Sequence, residues 1–588
     1  MWIVCLAAGL FFWAVDGGAQ QVMTQGPDPR VGLKAGAEDA GVAARNMELV
    51  SHLAKPQGFG DAIGTGGLAF ANSDLAFKGG NLFLGNFNGF NFYDIEDPRA
   101  IKLRTSVPCP GGQGDLSVYG DLLFMSVEQG NGRIDCGTGG TAAQNAPDPE
   151  RFRGVRIFDI SDVRSPRQIA AVQTCRGSHT HSLVPSKTNP GILYVYGSGT
   201  GGVRSTEELA GCTDADPKDD PNTALFSIDV IEVPLANPAA AKIVNRPRIF
   251  SDTQTGAIAG LWPGGTHGDG TQSSSVTNRC HDITVYPEMN LAAGACAGNG
   301  ILLDITDPVN PKRIDQVSDI NFAFWHSATF NNDGTKVIFT DEWGGGTSPR
   351  CRETDLPSWG ANAIFEIRDG KMIFRSYYKL PAAQTEFENC VAHNGSLIPV
   401  PGRDIKVQAW YQGGVSVFDF TDATRPVEIA FFDRGPVFAD KLVTAGYWST
   451  YWYNGFIYGS EIARGVDVFE LKPSEWLSQN EIDAAKLMQV NEFNAQSQPK
   501  NGWPDVPVVA RAYMDQLTRS RSLKAPQAME LNAALSAVEN ASAATRSASV
   551  TALKGVLTTI EEQGKTANPI DAAKYRALVA TINAYLGA

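Results

Sequence analysis

One repeat constrains this chain more than any other feature. An apolar run rich in β-branched or aromatic residues ends in an acidic residue, a turn of Asp, Ser, Thr or Pro follows, and a second apolar run returns. Full copies lie at residues 92–98 (FYDIEDP), 157–162 (IFDISD), 302–308 (LLDITDP) and 417–422 (VFDFTD), with degenerate copies at 227–230 (SIDV), 364–367 (IFEI) and 468–471 (VFEL). Asp, Asn, Ser and Pro form turns for backbone reasons, and the flanking runs have strand composition, so each copy reads as a hairpin. Two more strand-like runs precede each copy, as at 327–330 (SATF) and 336–340 (KVIFT) around the turn 331–334 (NNDG). Four strands per unit, repeated radially, make a propeller blade.

The expected fold is therefore mainly β: a seven-bladed β-propeller over residues 47–472, with a small C-terminal α-helical domain. After the last copy the chain turns at 473–475 (PSE), leaving that blade without its outermost strand. Residues 47–53 (MELVSHL) resemble the outer-strand segment 426–432 (PVEIAFF), so they are expected to close the ring by completing blade seven. Residues 20–46 read as a flexible leader and 473–503 as a linker. From 504 to 588 the composition shifts to Ala, Leu, Ser, Glu and Lys at helical spacing. Helices are expected over 508–517, 529–538, 547–560 and 572–585, with Pro507, Pro526 and Pro569 near their starts, where proline is tolerated.

The repeats resemble those of the LVIVD-repeat family, whose units carry an apolar strand, a turn of the Asp-Ile-Ser-Asp-Pro type and a returning strand. The resemblance spans residues 47–472, specific in the copies at Asp94, Asp159, Asp304 and Asp419 and looser in the other three. It implies a propeller at a bacterial surface or in an extracytoplasmic space, and says little about chemistry.

The apolar run 2–15, followed by the small residues around Ala19, reads as a secretory leader cleaved near residue 19. It lacks a positive n-region, so either the chain starts further upstream or the signal is atypical, with a membrane anchor as the alternative. No later segment resembles a transmembrane span. An exported location is expected: periplasm, cell surface or medium. Beyond Cys5 the chain carries eight cysteines: Cys109, Cys136, Cys175, Cys212, Cys280, Cys296, Cys351 and Cys390. An even number in an exported chain argues for disulfides, and no CxxC spacing favours structural zinc. Sequential pairing is expected, because each couple then closes a loop within or between neighbouring blades, although eight cysteines leave other connectivities open.

Lys and Arg number 49 against 63 Asp and Glu, a net charge of −14, which argues against a nucleic-acid partner. Histidine carries the chemical signal. Aligning blades by their first strand puts His181, His281, His326 and His393 in one column of four consecutive units, with Asp74, Asp115 and Trp448 in the same column elsewhere. The first strand of a blade lines the central channel, so the column becomes a ring. Imidazoles without thiolates suit a transition metal such as copper, zinc or iron, and His179 could add a ligand or a supporting contact. The alternative is that each histidine only satisfies buried backbone groups. Glu128, Asp341, Glu342 and Glu461 end second strands and are expected to rim the same funnel beside Trp448. His267, in a Gly/Ser-rich insertion, is read as a loop residue, and His52 as an outer-strand residue.

The first functional reading is an exported or surface propeller that binds a protein or small-molecule ligand at its funnel, with a histidine-ring metal site. The alternative is an extracytoplasmic, copper-type metal-dependent oxidoreductase, by architectural similarity to the selenium-binding proteins and methanethiol oxidases. A third makes the propeller a scaffold for an adhesive helical module.

Overall fold

The computed structural model describes residues 28–587 apart from 61, 62, 65, 66, 144, 145 and 259; the secretory leader expected over 1–19 lies outside them. Seven antiparallel sheets follow one another along the chain as the blades of a propeller. Their inner strands are Asn72–Lys78, Leu116–Tyr119, Thr180–Pro185, Asp282–Tyr286, Trp325–Phe330, Gly395–Ile398 and Tyr447–Tyr453.

The repeat is the turn between the two outer strands of each blade. In the four full copies the first Asp accepts a hydrogen bond from the backbone two residues on: Asp94 from Glu96, Asp159 from Ser161, Asp304 from Thr306 and Asp419 from Thr421, at 2.8–3.0 Å. The second Asp repeats the motif: Asp97 with Arg99, Asp162 with Arg164, Asp307 with Val309 and Asp422 with Thr424, each at 3.0 Å. Two successive Asx turns reverse the chain without an obligatory glycine. Each third-to-fourth strand pair then shifts register once, a bulge that adds twist to the blade edge.

Met47–Ala54 pairs with Gly465–Leu471 and supplies the outer strand of blade seven, closing the ring as the sequence suggested. Val42–Arg45, from the stretch read as a flexible leader, adds a fifth strand to blade six. The core lies between blades: Leu75, Phe77 and Leu82 of blade one, for example, pack on Tyr451, Tyr458 and Val466 of blade seven. All four sequential disulfides form, Cys109–Cys136, Cys175–Cys212, Cys280–Cys296 and Cys351–Cys390. Among the described residues no helix is long and apolar enough to cross a membrane. The disulfides fit an extracytoplasmic protein.

Helices α2 (Pro507–Arg519), α3 (Ala525–Glu539), α4 (Arg546–Gly564) and α5 (Pro569–Gly587) form the C-terminal module around Leu517, Leu531, Leu557 and Leu578. Residues 473–503, read from sequence as a linker, are built into the fold. They hold α1 (Gln479–Lys486), which opens on a capping box between Ser478 and Glu481, and a strand, Glu492–Asn494, paired with the inner strand of blade one.

The next residues cross the lower end of the channel. Asn494 exchanges hydrogen bonds with the Val118 backbone in blade two, and Ser497 donates to Leu183 in blade three. Gln496 and Gln498 bracket Val285 in blade four through backbone bonds, and the Gln498 side chain accepts from Phe330 in blade five. This plug satisfies the ends of inner strands whose backbone groups would otherwise face the axis unpaired. Between the plug and the inner strands of blades four to seven lies a cavity of about 40 Å³, lined by Thr284, Ala328, Leu397, Trp452 and Gln498 among others.

Candidate metal centre

The histidines stand at the opposite, upper ends of the inner strands. His179, His281, His326 and His393, from blades three to six, form a continuous array with successive ring centroids 4.1, 4.0 and 4.2 Å apart. His179 takes the blade-three place that the sequence column gave to His181. The inner strand of blade three pairs with its neighbour unbroken from Thr180 to Pro185, whereas those of blades one, five and seven shift register near their starts. Strict alternation turns His181 towards blade two, where its Nδ1 lies 2.8 Å from Ser126 Oγ and 3.4 Å from Asp115 Oδ2. Burial pushes the His181 imidazole down to about 3, so it stays neutral.

An acceptor holds Nδ1 on three of the four array rings. His179 Nδ1 donates to Glu128 Oε2 at 2.7 Å, His281 Nδ1 to Asp282 Oδ1 at 3.0 Å, and His393 Nδ1 to the Trp448 carbonyl. Each acceptor fixes the proton on Nδ1 and leaves the Nε2 lone pair for another partner. Nε2 of His179 and of His393 is buried with no hydrogen-bond partner among the described residues.

Glu342 reaches into the array from the end of the second strand of blade five. Its carboxylate lies 3.8 Å from His326 Nε2 and 3.5 Å from His393 Nε2, and accepts from the Tyr411 hydroxyl at 2.5 Å. Burial alone would push this carboxyl up, but the His393 contact, the charges of His393 and His281 and the Tyr411 bond hold it below the usual carboxylate range. One ligand atom each from His281, His326 and Glu342 lies within 4.8 Å of the others, and all three residues are buried. That set could hold a metal ion. His326 is held well below its ordinary value by burial first and then by the charges of its histidine neighbours and Lys406, which favours the neutral ligand form.

The other candidates divide by position. Glu128, 18% exposed, forms the wall between His179 and an open cleft of about 810 Å³ lined by Gln129, Asn131, Thr141, Arg153 and Thr200. Trp448 stands beside His393, its ring 5.2 Å away. Asp341 accepts from the backbone of Ala323, Phe324 and Gly360, and Glu461 from Gly446 and Arg464; both brace loops. Asp74 lies deeper, accepting from Ser449 at 2.6 Å, Tyr451 at 2.7 Å and Gln496 of the plug at 3.3 Å. Asp74 and Asp115 thus belong to a buried polar layer beside His181, separate from the group around Glu342. His267 stacks on Trp262 in the insertion, and His52 bonds Asp467 on the outer edge of blade seven. Sequence reasoning missed Tyr411, which follows a second strand and carries no repeat signature, and Asp282, hidden in the blade-four strand.

No family model and no curated protein matches the chain. Among solved structures it is similar to the periplasmic gluconolactonase of Pseudomonas aeruginosa, at 11% identity over 68% of this chain and 97% of that one, with a TM-score of 0.40. It is also similar to a putative 6-phosphogluconolactonase from Bacteroides uniformis, at 9% identity over 66% and 89%, TM-score 0.39. Kuenenia stuttgartiensis hydrazine synthase matches at 12% identity over 66% and 92%, TM-score 0.39.

Proposed function

We propose that this protein is an exported propeller that holds a transition metal ion, copper, zinc or iron, at His281, His326 and Glu342 and presents it to a ligand entering the funnel. One observation carries the reading. One ligand atom each from His281, His326 and Glu342 converges to within 4.8 Å of the others, with all three side chains buried. Imidazole nitrogens and one carboxylate suit copper, iron or zinc better than calcium.

Metal content tests this directly, by elemental mass spectrometry on the purified exported protein and on the His281→Ala/His326→Ala double variant. Near-stoichiometric metal lost in the variant supports the reading; a metal-free wild-type protein that takes up none when supplied would reduce the array to hydrogen bonding. The oxidoreductase reading draws support from the ligand count, because three protein ligands leave an open coordination position, as catalytic rather than structural sites do. Its discriminating test is whether the bound metal cycles between oxidation states under a mild reductant and dioxygen.

A further inference from the structure

Lys406 lies in the second strand of blade six, Ile405–Ala409, and is completely buried. Its Nζ has no hydrogen-bond partner among the described residues. Register places it beside Leu397 of the inner strand, yet its side chain climbs towards the funnel mouth. A Cβ on Gly395, two residues up that strand, would stand 3.1 Å from Lys406 Cε and 2.1 Å from the Val407 carbonyl. Glycine at 395 therefore clears the path by which the lysine passes the inner strand, and His393 stands two residues above it.

A buried ammonium without a counterion is costly, and such groups normally pair or lose their charge. Carboxylates that could serve are engaged elsewhere: Glu342 by Tyr411, Asp282 by His281, and Asp74 by Ser449 and Tyr451. Gln408, two residues on along the same strand, likewise leaves its Oε1 without a hydrogen-bond partner among the described residues.

We infer that Lys406 is an anion-binding group of the funnel, receiving the carboxylate or a similar oxyanion group of a small ligand. The inference deepens the metal reading, on which it rests for the ligand's other anchor: an anionic oxygen compound would meet the metal ligands and the ammonium together. A ligand bearing one acidic group fits; a cationic or wholly apolar one does not.

Formate is the probe, titrated into the full-length protein while thermal unfolding is followed, with chloride at equal ionic strength as control. Formate is expected to raise the melting temperature of the wild type. Lys406→Met, close in length and uncharged, should fold and should shift the half-effective concentration upward at least about tenfold, the size expected when a charged hydrogen bond is lost. Lys406→Gln takes its place if the methionine does not pack, and Lys406→Arg, which keeps a cation, should retain a response. No formate response in the wild type, or an equal one in the uncharged variant, overturns the inference. Metal content measured on the same samples reports separately. A Lys406-dependent response in metal-free protein leaves the anion site standing and removes the metal reading; normal metal with a Lys406-independent response does the reverse.

Discussion

The Tyr411 hydroxyl, in blade six, donates a 2.5 Å hydrogen bond to Glu342 Oε1, in blade five, across the boundary between the two blades. It leaves the Glu342 carboxylate aimed at His326 and His393 rather than free to rotate. Gly346 permits the contact, since a Cβ there would stand 2.2 Å from the Tyr411 hydroxyl oxygen, and its φ of +67° suits glycine. Supporting contacts of this kind tune metal affinity.

Tyr411→Phe should accordingly weaken metal binding by about 10–100-fold while leaving the propeller folded, because only one hydrogen bond is lost. Competition against a chelator of known affinity measures the first effect, and circular dichroism the second. Unchanged affinity would place Glu342 outside the ligand set.

Cys280–Cys296 ties the residue before His281 to the end of the neighbouring strand within blade four, across a separation of 16 residues. Removing both cysteines should cost about 3 kcal/mol by chain entropy, read from denaturant midpoints. It should also loosen His281, so metal affinity should fall further in this variant than in one lacking Cys351 and Cys390, whose bridge spans 39 residues. Equal affinities in the two would show that the nearby disulfide does not position the ring.

The propeller was legible because its turn chemistry repeats: Asp94, Asp159, Asp304 and Asp419 each perform the same Asx turn, and a local device leaves a local signature. The column gave His281, His326 and His393 for the same reason. In blade three the ring that joins the array is His179, in the loop ahead of the strand Thr180–Pro185, and the path of such a loop is not announced by residue type. The plug was illegible for a different reason. Residues 490–501 carry no hydrophobic period, being bound through the backbone and the amides of Asn494, Gln496 and Gln498, and polar stretches of that composition read as linker.

Glu481, wholly buried on α1, joins the module to the propeller: it accepts from Arg403 Nη1 at 2.8 Å and from Arg519 Nη1 at 3.2 Å, while Arg403 also binds Asp419 at 2.6 Å. Breaking a buried charge network by removing one partner strands the others. Glu481→Ala should cost about 3–5 kcal/mol, whereas replacing Glu481 and Arg403 together by apolar residues should cost less. A double-mutant cycle by chemical denaturation measures the coupling, and additive losses would show the module docked by its apolar contacts alone.

Asp115 makes the pH dependence testable. Its side chain is wholly buried, its Oδ1 has no partner among the described residues, and its Oδ2 accepts only a 3.3 Å bond from the His181 backbone. Burial first, then the charges of Asp74 and Asp282, push this carboxyl well above the usual range. The folded state therefore keeps a proton that the unfolded chain loses near pH about 4. Because the native state binds more protons, stability falls as pH rises from there until the folded carboxyl ionises, by at most about 1.4 kcal/mol per pH unit for each such proton. Asp115→Asn removes the titration and keeps the shape, so its stability gain over the wild type should be larger at pH 8 than at pH 5. Denaturant midpoints of both proteins at the two pH values measure it. A variant less stable than wild type at pH 8 would show that Asp115 is ionised there and that its charge is matched by a cation in the channel.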